Sequence, residues 1–451
     1  DGERNTQNIF DVNGVKPSGS PSVKSAGITG QITGSRADII IGDDIEIPKN
    51  SATHELREKL SELVKEFASI CVDGRILYLG TPQTELSLYT TLYNRGYEIR
   101  TWCIQVPTEE QAATYGAKLA PFIRDLMDSQ DAGTSVSPRF PDTLVDEKKL
   151  EYGRSGFALQ FMLDTSLSDA DKFPLKIDDL IINHVGQKLP NEIHWSNNPL
   201  LKMKDLPNVG MAGQSYYAPE SVSDRFSEPQ MKVMSIDPSG RGKDETAYCV
   251  ALMLHGNIFI PQAGGVQGGY DDASLIKLCE VAKKHKVNKV VVESNFGDGM
   301  YTQLLKPHMS RIYPCEIEEV RQHMQKELRI IDTLEPLMNQ HRLIIDPSVI
   351  TKDYDSSMEN NPPDKATQYM LFYQMARLSK DRGSLRHDDR LDAMAIAVKY
   401  FLEVLDVDQA TQDKLRKEEA FDRMAAKFID EHSGGTRNQG LKLWDRSRKG
   451  Q

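Results

Sequence analysis

A chain of 451 residues with 39% hydrophobic and 27% charged side chains has room for two or three domains, each with its own core. No apolar run approaches the eighteen or so residues of a membrane span, and the opening DGERNTQNIFDVNG has neither the basic segment nor the apolar core of a secretion signal, so no membrane partner is expected. The formal charge of −11, from 66 acidic and 55 basic residues, excludes a globally basic nucleic-acid binder; any DNA contact must be local or act through cations held by the acids.

In chain order, residues 28 to 105 alternate between strand and helix: ADIIIGDD, the helical ATHELREKLSELVKEFASIC, then GRILYLGTP and GYEIRTWCIQV. Short apolar strands separated by a helix predict a parallel α/β sheet. The Gly-, Pro- and Ser-rich LPNVGMAGQSYYAPESVSDRFSEPQ has no period and is expected to be linker or long surface loop, overlapping a linker region at 171–228. A second α/β region opens at MKVMSIDPSG and continues through TAYCVALMLHGNIFIPQ, DDASLIKLCEVAKKHK, KVVVES, LRIIDTLEPLMNQH and RLIIDP. Beyond residue 405 the chain becomes a charged, then basic tail, expected to be mobile. Cys71, Cys103, Cys249, Cys279 and Cys315 are isolated, which predicts reduced thiols and no zinc site.

Five acids of the second region form a pattern. Asp237 closes the strand KVMSI before a Gly-rich turn and a second strand, and Glu293 closes KVVVE. Asp388, Asp389 and Asp392 head an amphipathic helix whose apolar stripe is Leu391, Met394, Val398, Leu402 and Leu405. An acid after a strand is ordinarily a cap or turn residue. Together, acids at two strand ends and on a late helix are what two-metal phosphodiester hydrolysis requires, since two divalent ions about 3.5–4 Å apart need shared oxygen ligands. Arg386 and Arg390 beside the cluster, Lys326 and Arg329 on one helix, and the run Lys283 to Lys289 are the candidates for holding a DNA backbone; His387 is either a capping residue or faces phosphate.

The order of these motifs, ending in HDDRLDAMAIA, resembles the nuclease domain of the large terminase subunits of tailed bacteriophages, over residues 229–405. The resemblance implies an RNase H-like fold, with Asp237 bridging two Mg²⁺ or Mn²⁺ ions, Glu293 binding one, and Asp388, Asp389 and Asp392 closing the site as a set. Upstream, RADIIIGDDIEI is similar to a Walker B strand, with Asp43 for the Mg²⁺ shell and Asp44, or its rival Glu46, for the attacking water. Gly80, Thr81 and Pro82 resemble the motif that couples ATP to movement in terminases. The phosphate loop is missing: the nearest candidate, SGSPSVKS, has a Ser and a Val where glycines belong. The expectation is therefore an α/β protein: a partial P-loop ATPase domain with a parallel sheet at 1–170, a linker region at 171–228, an RNase H-like nuclease at 229–405 and a tail at 406–451. The chain begins without Met, and is expected to start inside a longer protein and not to hydrolyse ATP by itself.

What the family implies further is packaging of concatemeric double-stranded DNA, ATP as cofactor of the full-length motor, and a homo-oligomeric ring at the procapsid portal in the host cytoplasm. A portal protein and a small terminase subunit are the implied partners. A junction resolvase or transposase shares the acidic sheet, and a non-catalytic assembly protein is the alternative outside the enzymes.

Overall fold

The computed structural model describes residues 6–15, 19–30, 34, 36–239, 245–294, 299–322 and 324–404. The chain divides into two units, residues 1–397 and 398–451; of the second, residues 398–404 are described and are helical. The predicted tail lies outside the described residues.

Near the N-terminus, β1 (Ile39–Asp43) and β2 (Arg75–Leu79) pair in parallel, Ile39 opposite Arg75 and Asp43 opposite Leu79. Helix α1 (His54–Ile70) connects them, started by the Thr53 hydroxyl, which accepts from the Leu56 amide. Its buried residues, Leu60, Val64, Phe67 and Ile70, recur at helical spacing. The other face of the strand pair is open: Ile39 and Ile41 are 60% exposed, and Leu77 and Leu79 50% and 55%. Parallel sheets are ordinarily covered on both faces, so these two strands form part of a layer. Helix α2 (Leu88–Asn94) follows, with Ser87 as its cap.

Gly80, directly after β2, has φ +157°, and a Cβ there would lie 1.9 Å from the Tyr89 hydroxyl. Gly80→Ala is therefore expected to cost about 1–3 kcal/mol in a denaturant titration, with a smaller loss in a Tyr89→Leu background where the space is opened.

The main sheet has seven strands. They are β3 (Ile181–Ile182), β4 (Met231–Asp237), β5 (Thr246–Leu254), β6 (Asn257–Val266), β7 (Lys289–Glu293), β8 (Glu316–Val320) and β9 (Leu343–Ile345). Their order across the sheet is β8-β7-β4-β5-β6-β9-β3. Within it β5 alone runs against the others, forming hairpins with β4 and β6. The helices are α3 (Asp272–His285), α4 (Met300–Ile312), α5 (Lys326–Asn339), α6 (Pro347–Asn360), α7 (Leu371–Arg377) and α8, which starts at residue 389. Every residue of β5 is buried, as expected for a central strand covered on both faces.

Two expectations are corrected here. Residues 171–228 are not a spacer: β3 is an edge strand of the main sheet, Leu175, Ile177 and Leu180 are fully buried, and Tyr216 packs edge-on against Phe372. Nor is α8 amphipathic over its first turns, because Leu391 and every residue from Ala393 to Ala397 are at most 2% exposed.

Candidate active site

Strands β4 and β7 are parallel neighbours, with Ile236 opposite Val292, so Asp237 and Glu293 come side by side at the carboxyl ends of the two strands. The fold delivers the third acid on α8. The Ser235 hydroxyl of β4 donates to the Ala393 carbonyl, which seats the helix on the sheet at the residue next to Asp392. Asp237, Glu293 and Asp392 each then offer an oxygen within 4.8 Å of the others.

Asp388 and Asp389 join through Lys326, at the start of α5. Its Nζ lies 2.8 Å from Asp388, 3.1 Å from Asp392, 3.5 Å from Asp389 and 3.6 Å from Asp237. Arg329, one turn on, brings Nη2 to 2.9 Å from Asp392 Oδ2 and 3.7 Å from Glu293. All five predicted acids thus border one pocket, with two cationic side chains among them.

The electrostatics follow from burial. Desolvation, together with repulsion from Asp392 and Glu293, pushes the Asp237 carboxyl well above the carboxylate range against the pull of Lys326. Glu293 is raised too, by burial and then by Asp392. Burial acts to lower the Lys326 ammonium, but the four surrounding aspartates outweigh it and hold the group charged. Asp237 Oδ2 is buried and has no hydrogen-bond partner among the described residues. An acidic pocket with an orphaned carboxylate oxygen and a lysine ammonium lodged among the acids suits a divalent cation in hard oxygen ligands. Lys326→Met, which removes the resident cation, is expected to tighten Mn²⁺ binding at least tenfold in calorimetry and to lower stability in chelator.

The predicted DNA contacts are largely corrected. Arg390 is 0% exposed and held by Glu245 and Asp353, so it is not presented to a phosphate backbone. Arg329 is 4% exposed and turned to Asp392. Lys326 is turned into the acid pocket. Arg386 is at the surface, 3.0 Å from Glu58 of α1. The run from Lys283 to Lys289 is at the opposite end of the sheet: Lys289 opens β7, four residues or about 13 Å from Glu293, and pairs with Glu316 and Glu318. His387 stacks on the Tyr369 ring at 4.0 Å.

In the N-terminal region Asp43 ends β1 and Asp44 follows it, both exposed, Asp44 with φ +44° and its amide donating to the Leu79 carbonyl. Glu46 is 2% exposed and accepts from the Gln83 and Leu88 amides, so it ties the loop after Gly80, Thr81 and Pro82 to the start of α2. The Glu46 carboxylate is committed to these two backbone amides, which gives it a part in holding the loop. The reading of the residues missed Glu245, Asp353 and Ser235, and no motif marked them.

A mixed sheet with acids at the ends of two adjacent parallel strands and a closing acidic helix defines an RNase H-like nuclease domain. Residues 236–343 match the family model of the ribonuclease H-like domain of the bacteriophage T7 terminase. The chain is 44% identical over 417 residues to the terminase large subunit of Enterobacteria phage T3, spanning 90% of this chain and 71% of that one. It belongs to the large terminase subunits, which act in viral DNA packaging.

Among solved structures, the human cytomegalovirus terminase nuclease domain, Mn-soaked and inhibitor-bound, is 12% identical, covering 38% of this chain and 82% of that one, with TM-score 0.29. The nuclease domain of the large terminase subunit of bacterial virus Sf6 is 10% identical over 38% and 89%, with TM-score 0.27. The large terminase nuclease of thermophilic phage G20c is 15% identical over 51% and 98%, with TM-score 0.27. Among the described residues no helix is long and apolar enough to cross a membrane.

Proposed function

We propose that this chain cuts concatemeric double-stranded DNA by two-metal hydrolysis in the pocket of Asp237, Glu293 and Asp392, with Asp388 and Asp389 completing the acidic rim. The observation that carries the reading is the convergence of those three carboxylates within 4.8 Å on elements far apart in sequence. Mg²⁺ or Mn²⁺, when bound, supplies an activated water and charge neutralisation at the leaving 3′-oxygen. The chain's own part is to hold the ligands. Asp237, Glu293 and Asp392 would hold the cations, and Arg329 fixes the Asp392 carboxylate. Lys326 supplies the counter-charge of the acids while the site is without a cation.

The first 170 residues are read as the distal part of the ATP-driven motor, with Asp43 and Asp44 as the Walker B pair and Gly80, Thr81 and Pro82 as the coupling segment. The half-covered β1–β2 pair supports this, because its open apolar face requires a further layer. ATP, the portal of the procapsid, a small terminase subunit and a ring of like subunits belong to the same proposal.

Supercoiled plasmid incubated with the protein tests the nuclease. Linear product that needs Mn²⁺ or Mg²⁺ and stops on chelation is the expected result; intact plasmid across metals and concentrations overturns it in favour of an assembly role. A strong preference for branched over linear duplex would instead favour a junction resolvase.

A further inference from the structure

Arg390 stands between Asp389 and Leu391 in the acidic segment, yet its guanidinium is turned to Glu245 and Asp353. Its guanidinium is fully buried and forks outward to two other elements. Nε and Nη2 donate to both oxygens of Glu245, Nη2 at 2.8 Å, directly before β5. Nη1 donates to Asp353 Oδ1 at 2.7 Å and to the Ser357 hydroxyl at 2.9 Å, both on α6. Asp353 accepts in turn from the Leu371 amide at 2.9 Å, at the start of α7. Room for the arrangement is built into the sheet: a Cβ on Gly265 of β6 would lie 1.9 Å from the Glu245 carboxylate.

One fully buried positive charge thus faces two negative ones. Buried ion pairs of this kind contribute little net stability against an apolar replacement, and their best-attested use is to fix register. The register here is that of α8 on the sheet. Ser235 fixes the helix on β4 at Ala393, and Arg390 fixes it on β5 and α6 about one turn earlier, on either side of Asp392.

We infer that the Glu245–Arg390–Asp353 clamp is the positioning device of the nuclease: it sets the distance of Asp388 and Asp392 from Asp237 and Glu293, and so the fit of the pocket to its cations. The inference rests on the metal-dependent reading proposed above. A planar fork is needed because a lysine ammonium, a single point of charge, cannot span a bidentate carboxylate on one element and a second carboxylate on another.

The test compares wild type, Arg390→Lys and Glu245→Gln as the whole chain. Three quantities are read: Mn²⁺ affinity by calorimetry, affinity for a duplex in chelator, and cleavage as kcat and KM. Folding is checked by near-ultraviolet circular dichroism. Outer partners of metal ligands typically change affinity by about 10–100-fold, and a loss of that size is expected in both variants, with a lower kcat and unchanged duplex affinity and KM. Glu245→Gln keeps the shape of the clamp and one acceptor, and carries the test if Arg390→Lys does not fold. Folded variants with wild-type Mn²⁺ affinity and kcat overturn the clamp alone. A wild-type protein that takes up no Mn²⁺, or takes it up equally well as Asp237→Asn, overturns the metal reading and the clamp with it.

Discussion

Asp237→Asn is expected to abolish metal-dependent cleavage and, at the same time, to stabilise the metal-free protein at neutral pH. The first effect follows from position. Asp237 is one of the three carboxylates that converge within 4.8 Å, and an amide in its place withdraws one negative ligand. A divalent cation supplies several kcal/mol of charge stabilisation to phosphodiester hydrolysis, so a fall of about a thousandfold or more is expected in a plasmid assay. The second effect follows from burial. The folded protein raises the Asp237 carboxyl well above its ordinary 3.8, chiefly by desolvation and then by Asp392 and Glu293. Between that ordinary value and the raised one, the folded state holds a proton that the unfolded state has released. The linked stability is therefore full at low pH and lost as pH rises through the folded value. In chelator, wild type should lose stability as pH rises from the ordinary carboxylate range through the raised value of the folded state, and the asparagine variant should lose less. Saturating Mn²⁺ should reverse the ranking at neutral pH, because only the carboxylate gains from the cation. Melting curves with and without metal read both halves. A variant that cleaves normally, or a wild type indifferent to chelator, contradicts the assignment.

The acids were legible in the sequence because strand ends are. An apolar run of four or five residues closed by an acid marks the mouth of a sheet, and Asp237 and Glu293 each end such a run on neighbouring strands. The cluster at 388–392 was legible as a unit, but not the separate parts of its members. Asp392 is fully buried and grouped with Asp237 and Glu293, while Asp388 and Asp389 stand nearer the rim. The all-round burial of α8 was hidden by Ala393, Ala395 and Ala397. Their small side chains let neighbouring elements approach closely, but do not stand out in a hydrophobic stripe made of Leu, Met and Val.

Basic residues were the least legible. Lys326, Arg329 and Arg390 were expected to face a phosphate backbone, because a charge near an active site is usually assigned to solvent or substrate. A pocket of five acids needs internal counter-charge before any ligand arrives, and the sequence gives no sign of which cations supply it. The partners of Arg390 lie 145 and 37 residues away, at Glu245 and Asp353, so no local spacing connects them. Composition likewise concealed the role of residues 171–228. A two-residue strand is too short to show a period, and the Gly and Pro around Tyr216 suggest a loop whether or not the tyrosine is buried.

Arg329→Met is expected to cause the largest loss of stability of the substitutions considered. Arg329 lies on α5 with its side chain 3% exposed, and its Nη2 is 2.8 Å from Asp392 Oδ1, where the aspartate side chain is 0% exposed. Methionine fills much of the same space, so little of the effect comes from a cavity. What is lost is the counter-charge of a carboxylate that cannot reach water. Breaking a buried pair by removing one partner costs about 3–5 kcal/mol, and the Lys326 ammonium, 3.1 Å from the same carboxylate, should hold the loss near the lower figure. Arg329→Lys should lose less, since it keeps the charge and gives up the fork. Because the deficit is one of charge, a divalent cation in the pocket should recover part of it, so the Mn²⁺-induced rise in melting temperature should be larger for Arg329→Met than for wild type. If the methionine variant instead melts like wild type in chelator, the Arg329–Asp392 contact adds nothing to stability and Lys326 alone balances the inner acid.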